Sequence, residues 1–187
     1  LILKVIGFTG MPGSGKTVCA KFAKENNIPV VRMGDLVWAE VRNRDIDLTD
    51  LNVGNLATEE REKYGFGIWA ERTVTVVQEK LLVSSTVIID GIRGDAELNV
   101  FKFHFEDDFY NIAIHSNQKT RYERIVKRRN RVDDVLSEDE FKRRDERELG
   151  WGIGNAIALA DTVIVNEGTL DDLKVNFLRI LGKLGIE

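Results

Sequence analysis

The octapeptide Gly10-Met11-Pro12-Gly13-Ser14-Gly15-Lys16-Thr17 constrains the fold more than any other stretch of this chain. It follows an apolar run, Leu3–Phe8, and leads into TVCAKFAKEN, a segment of helical character. Gly10, Gly13 and Gly15 let the backbone wrap with its N–H groups turned inward, where side chains would obstruct them. The helix that begins at the end of the loop directs the positive end of its dipole into the same hollow. The pattern G-x-x-x-x-G-K-[ST] is met in full, and its chemistry is the cradling of phosphates. Lys16 is expected to reach the β- and γ-phosphates, and the Thr17 hydroxyl to ligate Mg²⁺. The whole run Gly10, Met11, Pro12, Gly13, Ser14, Gly15, Lys16 and Thr17 is therefore read as a binding loop for ATP with Mg²⁺.

Four further runs are rich in β-branched and apolar residues: Ile28–Arg32, Thr86–Ile89, Phe109–Ile114 and Thr162–Val165. Stretches long enough for helices separate them. Continuous apolar strands alternating with helices imply a parallel sheet covered on both faces, an α/β architecture. Ligands bind such sheets beyond the carboxyl ends of the strands. The residues there are the loop itself, Met33-Gly34-Asp35, Asp90-Gly91-Ile92-Arg93, His115-Ser116 and Asn166-Glu167-Gly168. Ser137 with Glu140 forms a capping box, and Gly150 follows as a stop. Thr169–Asp172 opens a last amphipathic helix carrying Leu173, Phe177 and Ile180 on one face. Residues 45–64 are polar and poorly periodic, and read as a functional flap. With no repeat or Pro-rich linker, residues 1–187 read as a single domain.

A net charge of -4 over 187 residues argues against nucleic acid as the main ligand. Cys19 is the only cysteine, which excludes an intrachain disulfide, and it reads as a small buried hydrophobe. His104 and His115 lack metal-ligand spacing. Trp69 and Trp151 read as core anchors. The N-terminal LILKVIGFTG lacks a basic n-region, and no apolar run approaches the roughly 20 residues of a membrane helix. A soluble, cytoplasmic protein without a membrane partner is expected.

The segments GMPGSGKT, MGDLVWAEV and VIIDGIR resemble the nucleoside monophosphate kinases, adenylate kinases in particular, and ALADTVIVNEGTLDDLK resembles the last strand and helix of dephospho-CoA kinases. The overall pattern is similar to an archaeal family of nucleotide-kinase-like proteins. GTPases usually carry N-K-x-D, which is absent here. The resemblance implies a P-loop NTPase fold: a five-stranded parallel sheet in the order 2-3-1-4-5, an acceptor flap at about 34–65, and a short Arg-bearing lid at about 128–138. Asp90 stands like the acidic residue that holds Mg²⁺. Asp35 resembles the general base of dephospho-CoA kinases, whereas beside a phosphate acceptor it would orient the flap or cap its helix. Arg93 falls one residue earlier than the adenylate kinase arginine and is expected to clamp an acceptor phosphate. Trp38 stands where adenylate kinases carry an arginine that grips the acceptor phosphate, leaving Arg32, Arg42 or Arg44 to substitute. Trp38 itself either packs in the core or stacks on an acceptor base.

Between Thr120 and Glu148, Arg121, Arg124 and Arg128 share one helical stripe, Arg129 and Arg131 follow in a loop, and Arg143, Arg144 and Arg147 occupy the next helix. Phosphoryl transfer spreads negative charge over oxygens that a closing arginine can stabilise. Two or three of these arginines are expected to touch phosphate, with Arg128 and Arg131 as the catalytic candidates; the others would be solvated helix-end charges. The expected activity is transfer of the γ-phosphoryl of ATP to a small nucleotide-type acceptor by a monomer or small homo-oligomer. A nucleoside monophosphate stands ahead of dephospho-CoA. The alternative of another class is an ATPase switch engaging a partner protein, which would need neither the acceptor base nor the acceptor clamp that Asp35 and the arginines suggest.

Overall fold

The computed structural model describes residues 3–128 and 137–186, without the side chain of Arg128. The tip of the expected lid, with Arg129 and Arg131, lies outside the described residues.

The five apolar runs form five strands: β1 (Lys4–Thr9), β2 (Val30–Arg32), β3 (Thr86–Ile92), β4 (Phe109–His115) and β5 (Thr162–Val165). They pair in parallel in the expected order β2-β3-β1-β4-β5. The helices are α1 (Lys16–Glu25), α2 (Met33–Asn43), α3 (Asp50–Tyr64), α4 (Ile68–Leu81), α5 (Asp95–Phe105), α6 (Gln118–Arg128), α7 (Glu138–Gly150), α8 (Ile153–Ala158) and α9 (Leu170–Lys183). None of the described helices is long and apolar enough to cross a membrane.

Helices bury both faces of the sheet, which is why β1 and β3 are apolar at consecutive positions. On one face Val5, Val87 and Ile89 pack with Trp69, Leu98 and Phe101. On the other, Ile6, Phe8, Ile88 and Ile112 pack with Cys19 and with Leu173 and Phe177 of α9. Burial pushes the Cys19 thiol up to about 12, with Asp90 adding to the shift, so the side chain acts as the small hydrophobe its position suggested.

β3 runs three residues further than its β-branched core. Phe8 pairs with Asp90 but Thr9 pairs with Ile92, so Gly91, at φ 111, is an extra residue in the strand. A one-residue bulge reverses the alternation of side chains. Ile92 consequently joins the same packed face as Val87 and Ile89. Asp90 is thus a strand residue and not the first residue after a strand. The Thr9 hydroxyl donates to the Ile92 carbonyl across the bulge at 3.0 Å.

Within the polar, poorly periodic stretch 45–64, the chain from Asp50 onward is helix α3, N-capped by Thr49, whose side chain accepts from the Asn52 N–H. Its buried positions are Gly54, Leu56, Ala57, Glu60 and Arg61. An inward face built from glycine, alanine and charge leaves no apolar periodicity to read. Ion pairs satisfy it: Glu60 accepts from Arg44 and Arg72 at 2.5 Å each, and Arg61 donates to the buried Glu97 at 2.7 Å.

Phe177 is fully buried and meets Phe8 edge-to-face, with ring centroids 5.7 Å apart. Phe177→Ala is expected to cost about 3–5 kcal/mol through lost burial and the cavity left behind. Urea unfolding should show a lower midpoint at unchanged slope; a midpoint within error of wild type would contradict the packing of α9 on β1.

Candidate active site

The loop Gly10–Lys16 wraps between the ends of β1, β4 and β5. Gly15 holds φ 114, and a Cβ there would come within 2.3 Å of the Asn166 amide nitrogen, so both backbone and space require glycine. That amide donates to the Ser14 carbonyl at 2.8 Å. The Ser116 hydroxyl lies 2.6 Å from the Asn166 carbonyl and 3.3 Å from that of Ser14. The ends of β4 and β5 thereby fix the loop before any ligand arrives.

Lys16 is buried, and its ammonium donates to the carbonyls of Gly10, at 2.5 Å, and Met11, at 3.2 Å. Burial, and then the nearby Arg93 guanidinium, push it down to about 7, against the opposing pull of Asp90 and Glu148. Lowering means that the surroundings of Lys16 disfavour its charged form. The cost of charging Lys16 is fully present below about pH 7 and fades as pH rises toward the unfolded value near 10.5.

Asp90 is buried beside the loop, with Arg32 Nε 3.9 Å from its carboxylate. It lines a cavity of about 660 Å³ together with Lys16, Thr17, Arg93, Arg124 and Arg144. That volume is of the size that holds a nucleotide-sized ligand. A hydroxyl and a carboxylate at one wall are hard oxygen donors that fit Mg²⁺, which is typically held by one or two protein groups plus substrate phosphates. Among the described residues there is no cluster of three or more His, Cys, Asp or Glu able to hold a metal without a ligand's help.

A second, smaller cavity of about 80 Å³ adjoins the first. Arg32, Gly34, Gly91, Arg93 and Arg144 border both. Its remaining walls come from α2, α3, α4, α7 and the residue that caps α7, and include Trp38, Asp50, Arg61, Trp69, Glu148 and Trp151. Glu148 is buried at the junction, ion-paired with Arg93, and its carboxylate lies 3.5 Å from Arg144 Nε. Burial alone would raise its carboxyl, but Arg93, Arg144 and Lys16 hold it down to about 2. The same Glu148 charge overcomes the effect of burial on Arg93 and raises it above the ordinary arginine range.

The remaining expected site residues divide clearly. Asp35 is exposed, pairs with Arg32 at 3.1 Å and lines neither cavity. Arg44 is turned away into the Glu40–Glu59–Glu60 cluster and so does not replace the arginine absent at Trp38. Arg32 borders both cavities, with its guanidinium over the Trp38 ring at 5.3 Å. Of the lid arginines, Arg121 grips Asp145 at 2.6 and 2.8 Å and supports the Pro12 carbonyl, so it braces the loop. Arg124 donates to the Ser116 hydroxyl and the Asn166 carbonyl and borders the larger cavity. Arg143 is exposed. Arg128 closes α6, its side chain outside the described residues, and Arg131 lies wholly outside them. Trp69 is a core residue, as expected, but Trp151 is only half-buried and walls the smaller cavity. Glu148, Ser116 and Asn166 were given no role from sequence; only the strand-end positions of the last two hinted at one.

Residues 9–142 match the model of an AAA domain family. A UPF0200/UPF0201 protein of Archaeoglobus fulgidus is 45% identical over 98% of this chain, which spans 57% of that relative's length. A UPF0200 protein of Methanocaldococcus jannaschii is 45% identical over 90% of this chain and 84% of its own. Three solved structures share the fold: a Thermus thermophilus protein (TM-score 0.67, 20% identity, 98% of this chain and 99% of that one), a gluconokinase from Sinorhizobium meliloti (0.62, 16%, 97% and 93%) and a shikimate kinase from Acinetobacter baumannii bound to shikimate (0.59, 16%, 99% and 96%).

Phosphates arriving beside Lys16 restore the charged ammonium. Binding of a non-hydrolysable ATP analogue near pH 8.5 should therefore take up close to one proton, measured by calorimetry in buffers of different ionisation enthalpy. Lys16→Ala should abolish the uptake. Identical uptake in wild type and variant would contradict the assignment of the proton to Lys16.

Proposed function

The chain belongs to this AAA domain family and, within it, to the archaeal UPF0200 proteins, and from that premise we propose that it is an ATP-dependent phosphotransferase that moves the γ-phosphoryl group to a small acceptor, a nucleoside monophosphate. One observation carries the reading: across Arg93 and Arg144, which border both, the phosphate loop's cavity adjoins a second of about 80 Å³, room for the anionic end of an acceptor. A donor site and an acceptor site that share a cationic wall suit in-line transfer, whereas a nucleotide switch needs only the first.

In this reading the Gly10–Thr17 backbone and Lys16 hold the phosphates of ATP, and Arg93, Arg144 and Arg124 face the charge that develops on the transferring group. Thr17 and Asp90 would hold Mg²⁺, which bridges and neutralises phosphate oxygens when bound. Trp38 and Trp151 wall the acceptor cavity. Among the described residues Asp35 lines neither cavity, Glu148 and Asp50 are held in ion pairs with arginines, and Asp90 is assigned to Mg²⁺, so none stands free as a base. An acceptor phosphate is already ionised at neutral pH and needs none, which favours a nucleoside monophosphate over the hydroxyl of dephospho-CoA. An enzyme drawing on the ATP pool belongs in the cytoplasm.

ADP release with Mg²⁺ and ATP, screened against each nucleoside monophosphate and dephospho-CoA, tests the proposal. Acceptor-dependent release is expected with at least one nucleoside monophosphate, and release that ignores every acceptor would overturn it. Lys16→Ala should lower transfer by about 10²–10³-fold or more without loss of stability. Asp35→Asn should leave turnover nearly unchanged. A fall of roughly 10²–10⁴-fold in that variant would instead identify Asp35 as a general base and the acceptor as a hydroxyl.

A further inference from the structure

Arg144 and Arg147 stand one turn apart on α7, and both grip a carboxylate of the chain itself. Arg147 Nη2 donates to the two carboxylate oxygens of Asp50 at 3.0 Å each, and Arg144 Nη1 lies 3.3 Å from Oδ1. Asp50 is the first residue of α3, and Gly54 lies one turn further on. A Cβ at Gly54 would come within 2.5, 2.6 and 2.7 Å of Cζ, Nε and Nη1 of Arg147. The guanidinium therefore lies flat on bare helix backbone. A glycine inside a helix is destabilising, and the close approach of Arg147 accounts for it here. Trp151 covers the guanidinium from the other side, its ring centroid 5.6 Å away, and is itself fixed by an indole N–H that donates to the Thr58 hydroxyl at 3.1 Å. Arg147 Nε, although buried, has no hydrogen-bond partner.

These features describe a built seat for an oxyanion with one donor to spare. We propose that Arg144 and Arg147 bind the anionic group of the acceptor, and that Asp50 is an internal stand-in that occupies the seat until the acceptor displaces it. The inference rests on the phosphotransferase reading only in calling that ligand an acceptor. Of the other arginines of this wall, Arg61 is committed to the buried Glu97 and Arg93 to Glu148, which Arg144 also approaches through its Nε at 3.5 Å. The pair on α7 is held by a carboxylate from a helix terminus, at the edge of the cavity. A ligand carboxylate or phosphate replaces that carboxylate like for like, because the arginine fork suits either. A neutral ligand leaves Asp50 where it is. The seat lies on α7 and not on α2, where Trp38 replaces the arginine of the resembled kinases. Its occupation also couples acceptor entry to release of the first turn of α3.

A seat open about a tenth of the time weakens apparent affinity roughly tenfold. Isothermal titration of the full chain with inorganic phosphate and, separately, with malonate tests this in wild type, Asp50→Asn and Arg147→Gln. Removing the competing charge in Asp50→Asn should tighten binding of at least one anion roughly tenfold, a gain that misfolding cannot produce. Arg147→Gln should weaken the same anion, and Gly54→Ala should do likewise by dislodging the guanidinium. A gain for phosphate identifies a phosphomonoester acceptor, and a gain for malonate a carboxylate one. Anion affinities equal across wild type and Asp50→Asn would overturn the proposal. A non-hydrolysable ATP analogue titrated into wild type in parallel isolates the other reading: its failure to bind would overturn the phosphotransferase, whatever the anions do.

Discussion

Two buried carboxylates, Glu148 and Asp90, lie among three cations, Lys16, Arg93 and Arg144, where the two cavities meet. They do not offset the effect of burial on Lys16, which burial and then Arg93 drive to about 7 and which folds back onto backbone carbonyls. Buried charge is costly, and a cluster rich in cations suits an anionic ligand that completes it. The sheet, the bulge and α7 all act on this point. β1 delivers the loop, the bulge at Gly91 separates the directions of Asp90 and Ile92, and α7 carries Arg144 and Glu148 in from the side.

Much of this was legible in the sequence because the signals were local and periodic. The strands stood out as continuous apolar runs since both faces of the sheet are covered, and the strand order followed from the resembled family. The capping box at Ser137 formed as the pattern of residues required, and the last helix opens at Thr169 as expected. The phosphate loop needed no tertiary information at all: its glycines, its lysine and its flanking elements lie within a short stretch of chain.

What escaped was everything that depends on non-local charge. Helix α3 was hidden because its inward face sets Leu56 among Gly54, Ala57, Glu60 and Arg61, and the last two are satisfied by Arg44, Arg72 and Glu97 reaching them from elsewhere. Glu148 looked like one more acid in a charged helix until α7 turned it toward Arg93. The arginines of 121–147 were indistinguishable by sequence, yet they separate by partner: Arg121 braces the loop through Asp145, Arg124 spans the ends of β4 and β5, and Arg147 lies on Gly54. Asp35, a strand-end acid in the first turn of α2, faces solvent and pairs with Arg32, which sequence position alone does not reveal.

In the proposed function the phosphates of a nucleoside triphosphate complete this cation cluster. The position of Lys16 Nζ in a crystal structure with Mg²⁺ and a non-hydrolysable ATP analogue tests it most directly. The ammonium should leave the carbonyls of Gly10 and Met11 and lie within hydrogen-bonding distance of β- and γ-phosphate oxygens, with the Glu148–Arg93 pair still in place. A nucleotide bound elsewhere while Lys16 stays on the Gly10 carbonyl would contradict the claim.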